Sequence, residues 1–217
     1  MPDRLPDSPK ALSAEDQADV ALMLRFQTER DFDAFQTLFE RHKSGFLGYL
    51  RSLAGDPATA EDVSQHCWLR LVEIAKAGSY RADSGASFRT FLFTLGRNRF
   101  LDEHVRKHEV AKRADGDVYV ALDQQQSAGA DPGFDPQQLL VSDEQRQRLE
   151  AAVSQLPLEQ REVIALWATG ASIKEMMQVT QAQKDTVLSR KKYALAKLRA
   201  TLSQPHTPSK EALKASS

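Results

Sequence analysis

The stretch LPLEQREVIALWATGASIKEMMQVTQAQKDTVLSRKKYALAKLRATL, residues 156–202, decides the fold of the second half of the chain. Its apolar residues recur every three to four positions, which is the spacing of one helix face. This spacing predicts helices over Leu158–Trp167, Ile173–Val179 and Lys184–Leu202, with a brief turn at 180–183. Short helices joined by tight turns predict a helix-turn-helix unit.

The helix that begins at Lys184 has the layout of a DNA-recognition helix. Its predicted buried stripe is Val187, Leu188, Tyr193 or Ala194, Leu195 and Leu198. The candidate DNA-binding residues on its other positions are Lys184, Thr186, Ser189, Arg190, Lys191 and Lys192. The first residues of such a helix reach base edges while its cations contact phosphates. The alternative is that these positions form only a solvated basic face.

Charge is segregated along the chain, although the formal net charge is only −1. Residues 184–199 carry a basic cluster with a single acid, Asp185. Residues 115–144 carry Asp and Glu but no Lys or Arg, and they also hold several Gly and Pro. This pattern predicts a polyanion contact in the basic segment and a flexible acidic linker over residues 113–138.

The first half of the chain is also predicted to be helical. Apolar residues recur at three- and four-residue spacings from Ala14 to the break at 55–57, and two more helices are predicted, the second over Ser87–His108. The predicted fold class is therefore all-α. The predicted order is a disordered lead-in (1–14), a first domain (15–112), the linker (113–138), a second domain (139–203) and a loose tail (204–217).

Several classes of protein are disfavoured by the sequence. Cys67 is the single cysteine, so an intrachain disulfide is impossible. We find no signal peptide and no stretch of the roughly 20 apolar residues that would cross a bilayer, so we expect a cytoplasmic protein without a membrane partner. Phosphate loops and nucleophile elbows are absent, and we expect neither catalysis nor a cofactor. His104 and His108 could share a helix face, but no third ligand follows at suitable spacing, and we predict no metal site.

The second half resembles a known family. Leu156–Val163, followed by Thr186–Arg190 and Ala194–Arg199, resembles region 4 of the extracytoplasmic-function group of sigma-70 factors. The resemblance implies that the helix from Lys184 enters the major groove of the −35 element. Gln181 departs from the family pattern, because the turn usually has glycine at this position.

The first half is similar to region 2 of the same family. The segments that carry this resemblance are Phe32–Phe35, Ala60–Gln65, Trp68–Leu71 and Ser87–Asn98. It implies that core RNA polymerase is bound by Glu61, Asp62, Gln65, Leu69 and Arg70. It also implies that the −10 element is recognised and melted by Arg89, Arg97, Asn98, Arg99, Asp102 and Arg106. Phe88, Phe91 and Phe100 either line a pocket for an extruded base or form the core of a helix pair.

Relatives carry acids where this chain has Thr59 and His66. Thr59 has two readings. It could cap the helix, with Asp62 completing a capping box. Alternatively Thr59, or else Ser64, is phosphorylated by a Ser/Thr kinase, which would restore negative charge. An anti-sigma factor is a further candidate partner, and a stand-alone helix-turn-helix regulator of transcription is the rival interpretation of the whole chain.

Overall fold

The computed structural model describes residues 12–82, 85–114 and 143–203, without the side chains of residues 104–114 and 143–144. Every regular element in these ranges is a helix, which confirms the all-α prediction. The helices are α1 (Ala14–Glu29), α2 (Phe32–Ala54), α3 (Pro57–Lys76), α4 (Phe88–Ala114), α5 (Asp143–Ser154), α6 (Leu158–Ala168), α7 (Ile173–Thr180) and α8 (Lys184–Leu202).

Local signals explain where most helices begin. Ser13 and Ser172 start α1 and α7 with reciprocal capping boxes, in which the third helical residue is acidic. The Asp31 side chain caps α2 by accepting from the Ala34 N–H. Asp56 caps α3 and is followed by Pro57, whose fixed φ suits the first helical position.

The interpretation of Thr59 as an N-cap is wrong. Asp56 holds that position, and its carboxylate accepts from the backbone N–H groups of Ala58 and Thr59. Thr59 is therefore the third residue of α3. The physical reason is that a carboxylate placed before Pro57 already satisfies the first free N–H groups of the helix.

The first four helices share a core rich in aromatic residues. Phe46, Leu71, Phe88 and Leu92 are fully buried in it. Phe100 is also buried and Phe91 is partly buried, so the core reading of these phenylalanines is favoured. Helices α2 and α4 approach closely at Gly96, which lacks the side chain that would otherwise hold them apart.

The last four helices have two apolar faces. One face forms a small core of its own from Ala152, Leu156, Ile164, Ala194 and Leu198. The other belongs to the same core cluster as the first four helices and contributes Val163, Leu166, Met176, Val179 and Val187. The two halves of the chain therefore pack against each other, with α2 and α4 on one side and α6 and α7 on the other.

Some predicted boundaries differ from the structure. Helix α4 runs to Ala114 and not to His108, because no glycine or proline stands between His108 and Gly116. In α8, Ala194 and not Tyr193 completes the buried stripe, and the prediction that Leu188 is buried is wrong, since it is 41% exposed. Most of the predicted lead-in, the linker after Ala114 and the tail after Ser203 lie outside the described residues.

Candidate nucleic-acid interface

The candidate polymerase-binding residues lie on one exposed side of α3. Its buried side consists of Ala60, Val63, Ser64, Cys67, Trp68 and Leu71. Glu61, Asp62, Gln65, Leu69 and Arg70 are all exposed, and the Leu69 side chain is 67% exposed. Glu61 accepts from Arg51 Nη2 at 3.0 Å, and Arg70 donates to Glu73 at 2.8 Å. An exposed leucine among acids and amides is a suitable contact for a protein partner.

The two candidate phosphorylation sites differ in accessibility. Thr59 is half-buried in the first turn of α3, whereas Ser64 is buried on the core side of the same helix. A kinase needs access to the hydroxyl group, so the folded chain favours Thr59 over Ser64.

Helix α8 presents the candidate −35 residues outward. Lys184, Thr186, Ser189 and Lys192 are exposed, while Val187 on the same turns is fully buried. The helix begins after Gln183 without a side-chain cap, which leaves its first N–H groups available to an anion. Lys191 lies over the Trp167 ring with its Nζ 4.3 Å from the centroid, and Arg190 is partly buried. One face of α8 therefore combines hydroxyls with cations.

The candidate −10 residues of α4 divide into two sets. Asn98 and Asp102 are exposed, and Arg99 is paired with Glu103 within the helix at 2.6 Å. Arg89 and Arg97 instead contact the second half of the chain. Arg106 lies in α4, but its side chain is outside the described residues.

Arg97 takes part in a buried junction that sequence reasoning did not find. Its Nε donates to Glu162 Oε1 at 2.5 Å, and Tyr49 Oη donates to the same oxygen at 3.3 Å. Burial raises the pKa of Glu162, while the charges of Arg97 and Arg190 act in the opposite direction. Burial also holds the pKa of Tyr49 well above its ordinary value, so its hydroxyl remains a donor.

Arginine side chains make further contacts between the halves. Arg89 Nη2 donates to the Thr169 carbonyl at 2.6 Å and to Thr169 Oγ1 at 2.7 Å. Arg161 Nη1 donates to the Leu53 carbonyl at 3.2 Å. In the sequence, Glu162 follows Arg161 directly before the apolar run at 163–168, and this position alone does not identify a partner.

In the described part of the chain, the structure shows neither a metal-binding cluster nor a membrane-spanning helix. No group of three or more His, Cys, Asp or Glu side chains there could hold a metal ion, and the side chains of His104 and His108 lie outside it. Among the same residues, no helix is long and apolar enough to cross a membrane.

The exposed side of α3 and the outward face of α8 are therefore the two candidate interaction surfaces of this helical protein. The family model described as sigma-70 region 2 matches residues 38–110. The extracytoplasmic-function sigma factor SigK of Mycobacterium sp. (strain KMS) is 26% identical over 174 residues, covering 79% of this chain and 84% of the relative. SigL of Mycobacterium tuberculosis (strain ATCC 25618 / H37Rv), of the same group, is 29% identical over 170 residues, covering 78% and 89%.

A solved structure shows the same fold. The sigma factor RpoE from Bartonella quintana, in complex with the anti-sigma factor NepR, has a TM-score of 0.59 at 22% identity and covers 79% of this chain and 98% of its own. The region 2 match and these relatives show that the chain is similar to sigma-70 family sigma factors of the extracytoplasmic-function group. Sigma factors are DNA-recognition subunits of RNA polymerase and are not enzymes.

Proposed function

We propose that this chain binds core RNA polymerase through the exposed side of α3 and directs it to promoters. In this proposal residues 15–112 recognise and melt the −10 element, and residues 139–203 read the −35 element. The observation that carries it is the segregation on α8, where Lys184, Thr186, Ser189 and Lys192 face outward opposite a fully buried Val187. Such a face can combine hydrogen bonds to base edges with contacts to phosphates.

The rival proposal of a stand-alone regulator explains less of the chain. It accounts for α7 and α8 but gives no task to the region 2 match at 38–110. The two proposals also differ in what they require of the free protein. A stand-alone regulator binds its specific duplex without polymerase, whereas a sigma factor acts in the holoenzyme.

The experiment is capture of purified bacterial core polymerase by the full-length protein, followed by transcription from a promoter library. We expect capture and promoter-selective transcripts. Leu69→Ala should weaken capture, and Leu149→Ala, which removes an exposed leucine of α5, is the matched control. Tight duplex binding by the protein alone, with no capture of polymerase, would favour the stand-alone regulator.

We further propose two forms of control. An anti-sigma factor is one partner, supported by the complex in which the structurally similar Bartonella protein was solved. Phosphorylation of Thr59 is the other. A phosphate there would add roughly −1.5 to −2 charges to the first turn of α3, next to the acids of the polymerase-binding side and close to the helix N-terminus, where negative charge is favoured.

The phosphorylation proposal has its own test in cells of the natural host. Thr59→Ala should reduce polymerase capture and reporter transcription, and Thr59→Glu should partly restore both. Thr37→Ala removes a hydroxyl from α2 that bonds only its own helix, at the Asp33 carbonyl, and serves as the control. A Thr59→Ala protein with normal capture and transcription would exclude this form of control.

A further inference from the structure

Leu188 is an exposed leucine on the helix that is proposed to read DNA. It lies in the second turn of α8 and is 41% exposed, whereas Val187 beside it is fully buried. Successive residues of a helix are separated by about 100° around its axis, so Leu188 lies beside the buried stripe and not within it. The proposed function gives this apolar side chain no role.

Cations flank Leu188 along the helix. Lys184 and Lys192 lie four residues before and after it, which places all three side chains on one exposed face. Lys191 lies over the exposed Trp167 ring, with its Nζ 4.3 Å from the centroid. A single exposed leucine is ordinary on a protein surface. A leucine between lysines is suited to a partner that presents an apolar group between anionic groups.

The major groove of DNA offers this combination. Phosphates follow both edges of the groove, and each thymine presents a C5-methyl group on its floor, where apolar side chains can contact it. The first turns of a recognition helix are the part that reaches the base edges. Helix α8 begins after Gln183 without a side-chain cap, so its first N–H groups can also take a phosphate. Leu188 is therefore placed where an apolar base contact is made.

We propose that Leu188 is a specificity-determining residue that packs against the C5-methyl group of a thymine in the −35 element. Lys184 and Lys192 bind phosphates on either side and hold Leu188 at the base edge. The inference rests on the proposed function, because it takes α8 as the helix that reads the −35 element. It predicts one position of that element at which thymine is preferred for its methyl group.

The test removes the methyl group from the DNA and the leucine from the protein. A promoter selected from the library is prepared with deoxyuridine in place of each thymine of its −35 element in turn, on either strand. Uracil keeps the hydrogen-bonding groups of thymine and lacks only the methyl group. Fluorescence anisotropy of the labelled promoter measures its binding to holoenzyme made with the unchanged protein, with Leu188→Ala or with Leu202→Ala. Leu202→Ala is the matched control, because Leu202 is 37% exposed at the far end of the same helix.

We expect deoxyuridine at one position to weaken binding of the unchanged holoenzyme about fourfold, the factor that corresponds to burial of one methyl group. Leu188→Ala should weaken binding to the thymine promoter by at least this factor. Deoxyuridine at the same position should then have no further effect, because the two changes remove one contact. The Leu202→Ala holoenzyme should respond to deoxyuridine as the unchanged one does. A general loss of helix stability would not produce this dependence on a single methyl group.

Three results would overturn the proposal. One is equal binding of the unchanged holoenzyme to the thymine promoter and to every deoxyuridine promoter. Another is a deoxyuridine effect that persists in full with Leu188→Ala, since the methyl group then contacts a different residue. The third is a −35 element that contains no thymine on either strand.

The unchanged protein separates this inference from the function on which it rests. Polymerase capture and promoter-selective transcripts test that function without any substitution. If both are obtained and deoxyuridine has no effect at any position, only the role of Leu188 is rejected. If the protein instead binds its specific duplex without polymerase, the same deoxyuridine series with the free protein tests the contact.

Discussion

Gly96 of α4 lies so close to Phe46 of α2 that a Cβ atom at residue 96 would come within 2.5 Å of the ring. Because Phe46 is fully buried, its ring cannot move aside without displacing other core residues. The crossing of the two helices therefore requires glycine at this position, even though glycine disfavours a helix interior.

Gly96→Ala should destabilise the protein by about 1–3 kcal/mol because it overpacks this crossing. Gly48→Ala is the matched control, since a Cβ there meets nothing within 4 Å in the middle of α2. The control should be neutral or stabilise by up to about 1 kcal/mol through helix propensity. Urea unfolding followed by circular dichroism measures both, and equal effects of the two variants would contradict the packing argument.

The turn of the helix-turn-helix unit contains backbone strain at Gln181, whose φ is 55°. Gln181→Gly should increase the free energy of unfolding by about 0.5–1 kcal/mol, since glycine adopts this conformation without a Cβ clash. Arg30→Gly is the comparison, because Arg30 has a φ of 58° but donates to the carbonyls of Ala75 and Lys76 at the end of α3. Thermal unfolding should show a higher Tm for Gln181→Gly and a lower Tm for Arg30→Gly than for the unchanged protein.

Stability should decrease on mild acidification because of His42. Burial lowers its pKa from the ordinary value of 6.5, and this outweighs the opposing effect of its 2.7 Å bond to Asp19. The unfolded chain therefore takes up a proton at a higher pH than the folded chain does, so acidification below pH 6.5 favours unfolding.

Urea midpoints measured between about pH 7.5 and about pH 5.5 test this expectation. His42→Gln should make the urea midpoint depend less on pH, whatever its effect on absolute stability. His66→Gln removes an exposed imidazole of α3 and is the control. A wild-type urea midpoint that rises on acidification in this range would contradict the prediction. It would show that the bond to Asp19, and not burial, decides the direction of the His42 pKa shift.

Holoenzyme binding to a promoter should depend on salt through α8. Lys192→Ala should weaken binding and reduce the slope of log K against log salt by about 0.9, because one phosphate contact is lost. Arg199→Ala removes the same charge from the exposed far end of the same helix and should leave the slope unchanged. Equal slopes for the two variants would place Lys192 away from DNA.

Local structure was predictable where local chemistry determines it. The bounds of α8 match the prediction, and α7 ends one residue later than predicted. The pairing of Arg97 with Glu162 was not predictable in this way, because the residues are 65 positions apart and each belongs to a different periodic segment. The prediction that Leu188 is buried was wrong for another reason. Leu188 follows the apolar spacing of α8, but the neighbouring helices do not cover it.

The core shared by both halves has a consequence for how the chain is made. Residues 14–114 leave the ribosome before Val163, Leu166 and Met176, which complete that core, have been synthesised. At about 5–20 residues per second, this interval lasts roughly 2–10 s. During that time the faces of α2 and α4 that later receive α6 and α7 are open to chaperones and to other nascent chains. Translation speed through residues 115–162 therefore sets how long the newly made N-terminal half is exposed to aggregation.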